Sequence, residues 1–195
     1  MRLDIPDNAK KVLLHSCCAP CSGAILECLL ENGVKPIVFF SNSNIDSREE
    51  FDKRLEEIRR YCHSLGVELV ADKYDHDSWL STVKGLENEP ERGRRCLKCF
   101  RYRLERAARF AATGGFELLT TSLASSRWKS LEQVDEAGRS AVVEANGGSG
   151  TDLQWWPQNW RKGGLQPRRD EIIREQGFYN QNWCGCEFSH RESSI

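Results

Sequence analysis

The chain has 195 residues and a formal net charge of -1, with 28 Lys and Arg against 29 Asp and Glu. Its hydrophobic share of 39% supplies a core for one domain, or one domain with a small appendage, and overall charge argues against a uniformly basic, polyanion-coating protein. No stretch of about 18 apolar residues offers a transmembrane helix, and the start, "MRLDIPDNAKK", lacks the apolar segment of a signal peptide.

Four short apolar runs are predicted as strands: residues 12–14, 36–40 ("PIVFF"), 67–71 ("VELVA") and 116–121 ("FELLTT"). Helix-length segments alternate with them. The first covers about 21–32, with Pro20 suited to a first turn and Gly33 to the stop. In the second, Ser47 and Glu50 form a candidate capping box, and Phe51, Leu55, Ile58 and Cys62 recur at helical spacing before Gly66. Further helices are expected over 77–86, 97–112 and 131–145. "NGGSG" at 146–150 reads as a flexible link, followed by "WWPQNW", a helix over 168–176, and "FYNQNWCGCEFSH".

Strands alternating with helices predict βαβ units and a mainly parallel sheet flanked by helices. Sites in such sheets form beyond the carboxyl ends of the strands. "HSCCAPC" occupies that position after the first strand, "SNSNID" after the second, "DKYDHDS" after the third and "SLASSR" after the fourth.

The nine cysteines are many for a chain expected in the reducing cytoplasm, where clustered thiols bind metal or do redox chemistry more often than they form structural disulfides. Cys28 and Cys62 sit alone at apolar helical positions and read as buried core. The other seven fall into three groups: Cys17, Cys18 and Cys21; Cys96 and Cys99; Cys184 and Cys186. Side chains of adjacent extended residues diverge, so Cys17 and Cys18 are expected at different corners of a cluster rather than on one ion. Cys96 and Cys99 would add two corners, completing the four thiolates of a 4Fe–4S cluster. Both groups start helices, where N–H groups and the dipole favour thiolates. Cys21, Cys184 and Cys186 remain for a second metal or for redox work. The first-strand loop holds one glycine, Gly23, already inside the helix, so it is poorly built as a nucleotide-phosphate cradle.

"ERGRRCLKCFRYRLER" surrounds Cys96 and Cys99 with cations. Arg92, Arg94, Arg95, Lys98 and Arg101 are candidate phosphate contacts, joined by Trp155, Trp156, Trp160, Arg161 and Lys162, since interleaved rings and cations suit unpaired bases. At least one of those tryptophans is expected in the core. Arg127 and Lys129 can extend the patch. Asp46, on a loop at the same face, is a candidate proton donor or a simple helix-start residue. His15 is a weaker candidate. A zinc-stabilised RNA-binding module and a thiol oxidoreductase remain alternatives at this level.

"LHSCCAPCSG", "RCLKCFRYRLERAA", "TTSL" and "GFYNQNWCGCEFS" together resemble the QueH-type epoxyqueuosine reductases, over about residues 11–190. The resemblance implies a Rossmann-like fold related to adenine-nucleotide α-hydrolases, with residues 146–195 as an extension completing the active site of a single metalloenzyme domain. It implies reduction of epoxyqueuosine to queuosine at the wobble position of tRNAs for Tyr, His, Asn and Asp, with an external electron donor and without cobalamin. Cys17, Cys18, Cys96 and Cys99 match the 4Fe–4S motif. Cys21 matches a position held by aspartate in some relatives and is a candidate ligand of an adjacent metal, expected to be iron. Cys184 and Cys186 match the family's C-terminal pair.

Overall fold

A computed structural model describes residues 1–189; His190 and the rest of the expected extension lie outside the described residues, and so does the Ser149 side chain. Strands β1 (Val12–Ser16), β2 (Ile37–Phe40), β3 (Leu69–Ala71), β4 (Leu118–Thr121) and β5 (Gln154–Trp155) form one sheet in the order β3-β2-β1-β4-β5. Every pairing is parallel. Helices α1 (Ala19–Glu31), α2 (Arg48–Ser64), α3 (His76–Val83), α4 (Arg94–Thr113), α5 (Leu131–Ser149) and α6 (Leu165–Gln176) surround it. Among the described residues no helix is long and apolar enough to cross a membrane.

The sheet is buried on both faces, which explains why β1 and β4 are buried along their whole length rather than alternating. Local signals place most element starts. Ser47 caps α2 by accepting the Glu50 N–H at 3.2 Å, and Ser130 caps α5 by accepting that of Gln133 at 3.3 Å. Glu50, however, does not close the box. Its carboxylate takes the Arg54 guanidinium at 2.6 Å. α1 packs on α6, where Gly23 makes room: a Cβ there would meet Ile172 Cγ2 at 3.2 Å.

Two expectations fail after residue 145. The "NGGS" segment is not a link, because α5 continues through it and ends at Gly150, whose φ of +64° suits the left-handed stop. Trp155 belongs to β5, which extends the sheet beside β4. Its indole lies on Gly138, where a Cβ would meet the ring at 2.3 Å, and its Nε1 donates to Asp135 at 3.1 Å.

Sequential strands run outward from β1 in one direction to β3, then the chain returns to place β4 on the other side of β1. The order reverses between β1 and β4, and the crevice beyond their carboxyl ends is where this architecture admits ligands.

Candidate metal centre

The loop leaving β1 carries Cys17 and Cys18, with Cys18 as the extended cap residue of α1 and Cys21 in its first turn. It is pinned from the other side of the crevice. The Cys17 N–H donates to Ser122 Oγ at 2.9 Å, and that hydroxyl lies 3.3 Å from Cys17 Sγ. Ser122 immediately follows β4, so the switch point itself holds the loop. Beneath it, Asn42 Nδ2 donates to the Ser16 carbonyl at 2.9 Å, and the buried Arg103 guanidinium reaches Ser41 O and Asn42 Oδ1.

The sulfurs of Cys17 and Cys18 do not diverge. They lie 3.8 Å apart, and the ligand atoms of Cys17, Cys18 and Cys21 all fall within 4.8 Å of one another. Cys18 is itself extended, so adjacency in an extended segment does not keep these two sulfurs apart, and the first turn of α1 then brings Cys21 to them. A separation near 3.8 Å is the edge of a tetrahedron whose centre is about 2.3 Å from each sulfur, so this trio can hold one metal ion.

All seven grouped cysteines line a single cavity of about 350 Å³. α4 brings Cys96 in its first turn and Cys99 one turn later. The C-terminal segment brings Cys184 and Cys186 through a turn at Gly185, whose φ of +116° favours glycine. That segment is tied down by Arg54 Nη1, donating to Cys184 O at 3.1 Å, and by the Asp46 N–H, donating to Gly185 O at 2.9 Å. Cys28 and Cys62 stand elsewhere in the core, both buried.

The thiols divide electrostatically into two sets. Hydrogen bonds from Cys18 and Cys21 settle negative charge on Cys17, holding its thiol well below the ordinary range, while those same contacts raise Cys18 and push Cys21 up to about 11. Burial raises Cys96 and pushes Cys99 up to about 11 and Cys186 to about 12, and the nearby Cys184 sulfur adds to each. Metal binding would relieve that cost by replacing the protons.

Six cations share the cavity wall with the sulfurs: Arg54, Arg92, Arg95, Arg103, Lys129 and Arg169. Glu91 is the one carboxylate there among the described residues. Burial alone would depress the Lys129 ammonium, but the sulfurs of Cys184, Cys17 and Cys21 outweigh it and hold the amine firmly protonated. Lys129 was legible only as a possible extension of the basic patch, because its partners are remote in sequence.

Several expected contacts lie elsewhere. Asp46 is absent from the cavity wall and serves the backbone tie to Gly185. His15 is fully buried and structural. Its Nε2 must donate to the Ser41 carbonyl at 3.1 Å, so Nδ1 accepts from the Thr121 hydroxyl at 2.7 Å. Burial and the neighbouring Arg103 push it down to about 3, keeping it neutral. Arg95, only 3% exposed, spends its guanidinium on the carbonyls of Leu86, Glu87, Glu89 and Phe188. Trp156 and Trp160 form an edge-to-face pair inside the core. Arg94 pairs with Glu89 and Arg101 with Glu136 on the surface, while Lys98 and Lys162 are exposed. Arg92 and Arg161 grip main-chain carbonyls of the loop after β4.

Fold and cavity define a Rossmann-like α/β protein with a cation-rimmed thiol site, able to hold metal, at its topological switch point. A family model described as epoxyqueuosine reductase QueH matches residues 12–192. The chain belongs to that family, whose members are oxidoreductases. It is 43% identical over 194 residues to the epoxyqueuosine reductase QueH of Acinetobacter baylyi, covering all of this chain and 87% of the relative. The enzyme of the same name from Haemophilus influenzae is 40% identical over 193 residues, covering 99% of this chain and 77% of the relative. That of Thermotoga maritima is 30% identical over 181 residues, covering 91% and 89%.

Proposed function

We propose that this chain reduces epoxyqueuosine to queuosine at the wobble position of tRNAs for Tyr, His, Asn and Asp, in the cytoplasm, with electrons from an external donor. The observation that carries this reading is the meeting of seven cysteines from three remote segments on one cation-rimmed cavity, in a chain of a family named for that reduction. Converting the epoxide to an alkene consumes two electrons and two protons and releases water.

The donor set fits a 4Fe–4S cluster with a neighbouring iron, since the seven grouped cavity cysteines offer soft sulfur in the number such a pair of sites requires. When bound, that centre supplies electrons one at a time and Lewis acidity toward the epoxide oxygen. Lys129 brings a protonated amine to the same space, where it balances thiolate charge and can hydrogen-bond an oxygen as it becomes anionic. It replaces Asp46 as the candidate for that role. Arg169 at the cavity wall is a candidate contact for RNA phosphates.

The resemblance assigns Cys17, Cys18, Cys96 and Cys99 to the cluster, leaving Cys21, Cys184 and Cys186 for the neighbouring iron. The sulfur spacing favours a second division. Cys17, Cys18 and Cys21 are close enough for one iron, and Cys96, Cys99, Cys184 and Cys186, which bear on one another, supply the four thiolates of the cluster. Cys184→Ala separates the two: the first division keeps the cluster's visible absorbance, the second loses it.

The reading is tested by reconstituting the protein anaerobically and incubating it with epoxyqueuosine-containing tRNA and a reductant. Nucleoside mass spectrometry should show the modified nucleoside lighter by one oxygen. An unchanged nucleoside with iron and sulfide fully loaded would refute it.

A further inference from the structure

Among the described residues, Trp128 is one of two large apolar side chains left well exposed, at 61%, and it lines the mouth of the thiol cavity. The loop bearing it is held with unusual care. Arg92 Nη2 donates to the Arg127 carbonyl at 2.9 Å and its Nε to the Trp128 carbonyl at 3.2 Å. Arg161 Nη2 donates to the carbonyls of Ser126 and Lys129 at 2.6 and 2.7 Å. Four consecutive carbonyls are therefore gripped by two arginines, one from the loop just before α4 and one from the segment after β5. Arg92 adopts a φ of +66°, a conformation that is costly for a non-glycine residue. Gln133 Nε2 fixes it by donating to the Arg92 carbonyl at 2.8 Å.

Clamping the backbone beneath an exposed indole gains nothing for the core. It fixes where the ring is anchored, so the backbone share of the ordering cost is met before a ligand arrives. Cys17, Cys18, Cys99 and Cys186 line the same cavity and are buried whereas Trp128 is exposed, so an epoxide reaching the sulfurs leaves its nucleobase toward the ring. Arg127, the preceding residue, is exposed and adds positive charge for an adjoining phosphate.

We infer that Trp128 stacks on the nucleobase of the epoxide-bearing nucleotide and positions it, with Arg92 and Arg161 serving as loop clamps rather than phosphate ligands. The inference rests on the proposed substrate. Base–aromatic stacking of this kind is worth about tenfold or more in affinity.

The test compares the reconstituted full chain with its Trp128→Ala and Trp128→Phe variants on epoxyqueuosine-containing tRNA, with Val143→Ala as a surface control. Both clamps grip main-chain oxygens, so truncating the indole leaves the loop held. Trp128→Ala should raise KM about tenfold while kcat at saturation, cluster absorbance and thermal midpoint stay near wild type. Trp128→Phe should recover most of the loss. A wild-type KM in Trp128→Ala, or a Phe variant as poor as Ala, overturns the stacking role. A loaded wild-type enzyme that leaves the nucleoside unchanged refutes the substrate reading itself, and the inference with it.

Discussion

Arg54 joins two segments 130 residues apart, its Nη1 donating to the Cys184 carbonyl at 3.1 Å. The same guanidinium pairs with Glu50 inside the protein and lies 5.2 Å from the Trp183 ring. One side chain on α2 thus seats the strap that carries two of the cavity's thiols. Arg54→Ala should cost about 2–3 kcal/mol, since it strands the Glu50 carboxylate and an unpaired carbonyl. In metal-free protein, Cys184 should react faster with a thiol reagent, and Arg54→Lys should not restore protection because a single ammonium cannot serve both partners. Wild-type labelling kinetics in the Ala variant would show that the strap is held by other contacts.

Thiols in the cavity and thiols in the core should behave differently. Cys96→Ala should abolish the iron–sulfur absorbance of reconstituted protein. Cys28→Ala should keep it and lose only about 1 kcal/mol of stability, because Cys28 packs in α1 near Met1, its Sγ 3.6 Å from the Met1 carbonyl. Iron and sulfide assays on both variants decide, and equal iron content in the two would break the assignment.

Trp79 is fully buried and packs with Cys99 in a small cluster under α3. Its indole N–H meets no acceptor in the hydrogen-bond network of the described residues, yet its bearing on Cys99 favours the thiolate. Donors directed at ligand sulfurs raise cluster potentials. Trp79→Phe should therefore shift the reduction potential of the reconstituted cluster downward, read by redox titration of its visible absorbance. An unmoved potential would make Trp79 a packing residue only.

Charge within the "ERGRRCLKCFRYRLER" segment divides between fold and surface. Arg95→Ala should destabilise by about 3 kcal/mol, since it leaves buried carbonyls unpaired, and it should leave the salt dependence of tRNA binding unchanged. Lys98→Ala should leave stability within about 0.5 kcal/mol and lower the salt slope by about one. The opposite pattern in fluorescence-anisotropy titrations at several salt concentrations would place Arg95 on the RNA side.

Asp72 receives the Arg106 guanidinium, at 2.8 Å through Nη2, and the Ser41 hydroxyl at 2.6 Å. Burial alone would raise its carboxyl, but these partners outweigh it and hold it below the ordinary value. A carboxyl depressed in the folded state binds fewer protons than in the unfolded chain, so its contribution is complete above about pH 4 and fades as pH falls through the folded value. Denaturant midpoints should therefore drop more steeply below about pH 4 in wild type than in Asp72→Asn. Parallel acid profiles would remove Asp72 from the linkage.

Much of this molecule could be read from residue order. Four of the five strands, the cap at Ser47, and the placement of "HSCCAPC" after the first strand all follow from apolar runs, spacing and helix-start chemistry that act over a few residues. The seating of both cysteine groups at helix starts followed from the same signals. Besides the open capping box and the converging sulfurs of Cys17 and Cys18, two further local readings failed. Glycines at 147 and 148 resemble a linker, but α5, anchored by the buried Ala141, Val142 and Ala145, continues through them to Ser149 and closes with the Gly150 N–H on the Asn146 carbonyl. The "WWPQNW" cluster resembles a base-stacking surface, but Leu153, Trp156 and Trp160 are claimed by the core.

By itself the sequence determined the chemical inventory: the thiols, the cations, the alternation of strand and helix, and hence the rim on which a site would form. Tertiary structure alone decided the distances between sulfurs, which arginines are spent on carbonyls, and which tryptophans line the cavity. The reason is physical. Periodicity and capping are set by neighbours along the chain, whereas burial and charge pairing depend on groups such as Arg54 and Cys184 that meet only after the sheet has assembled.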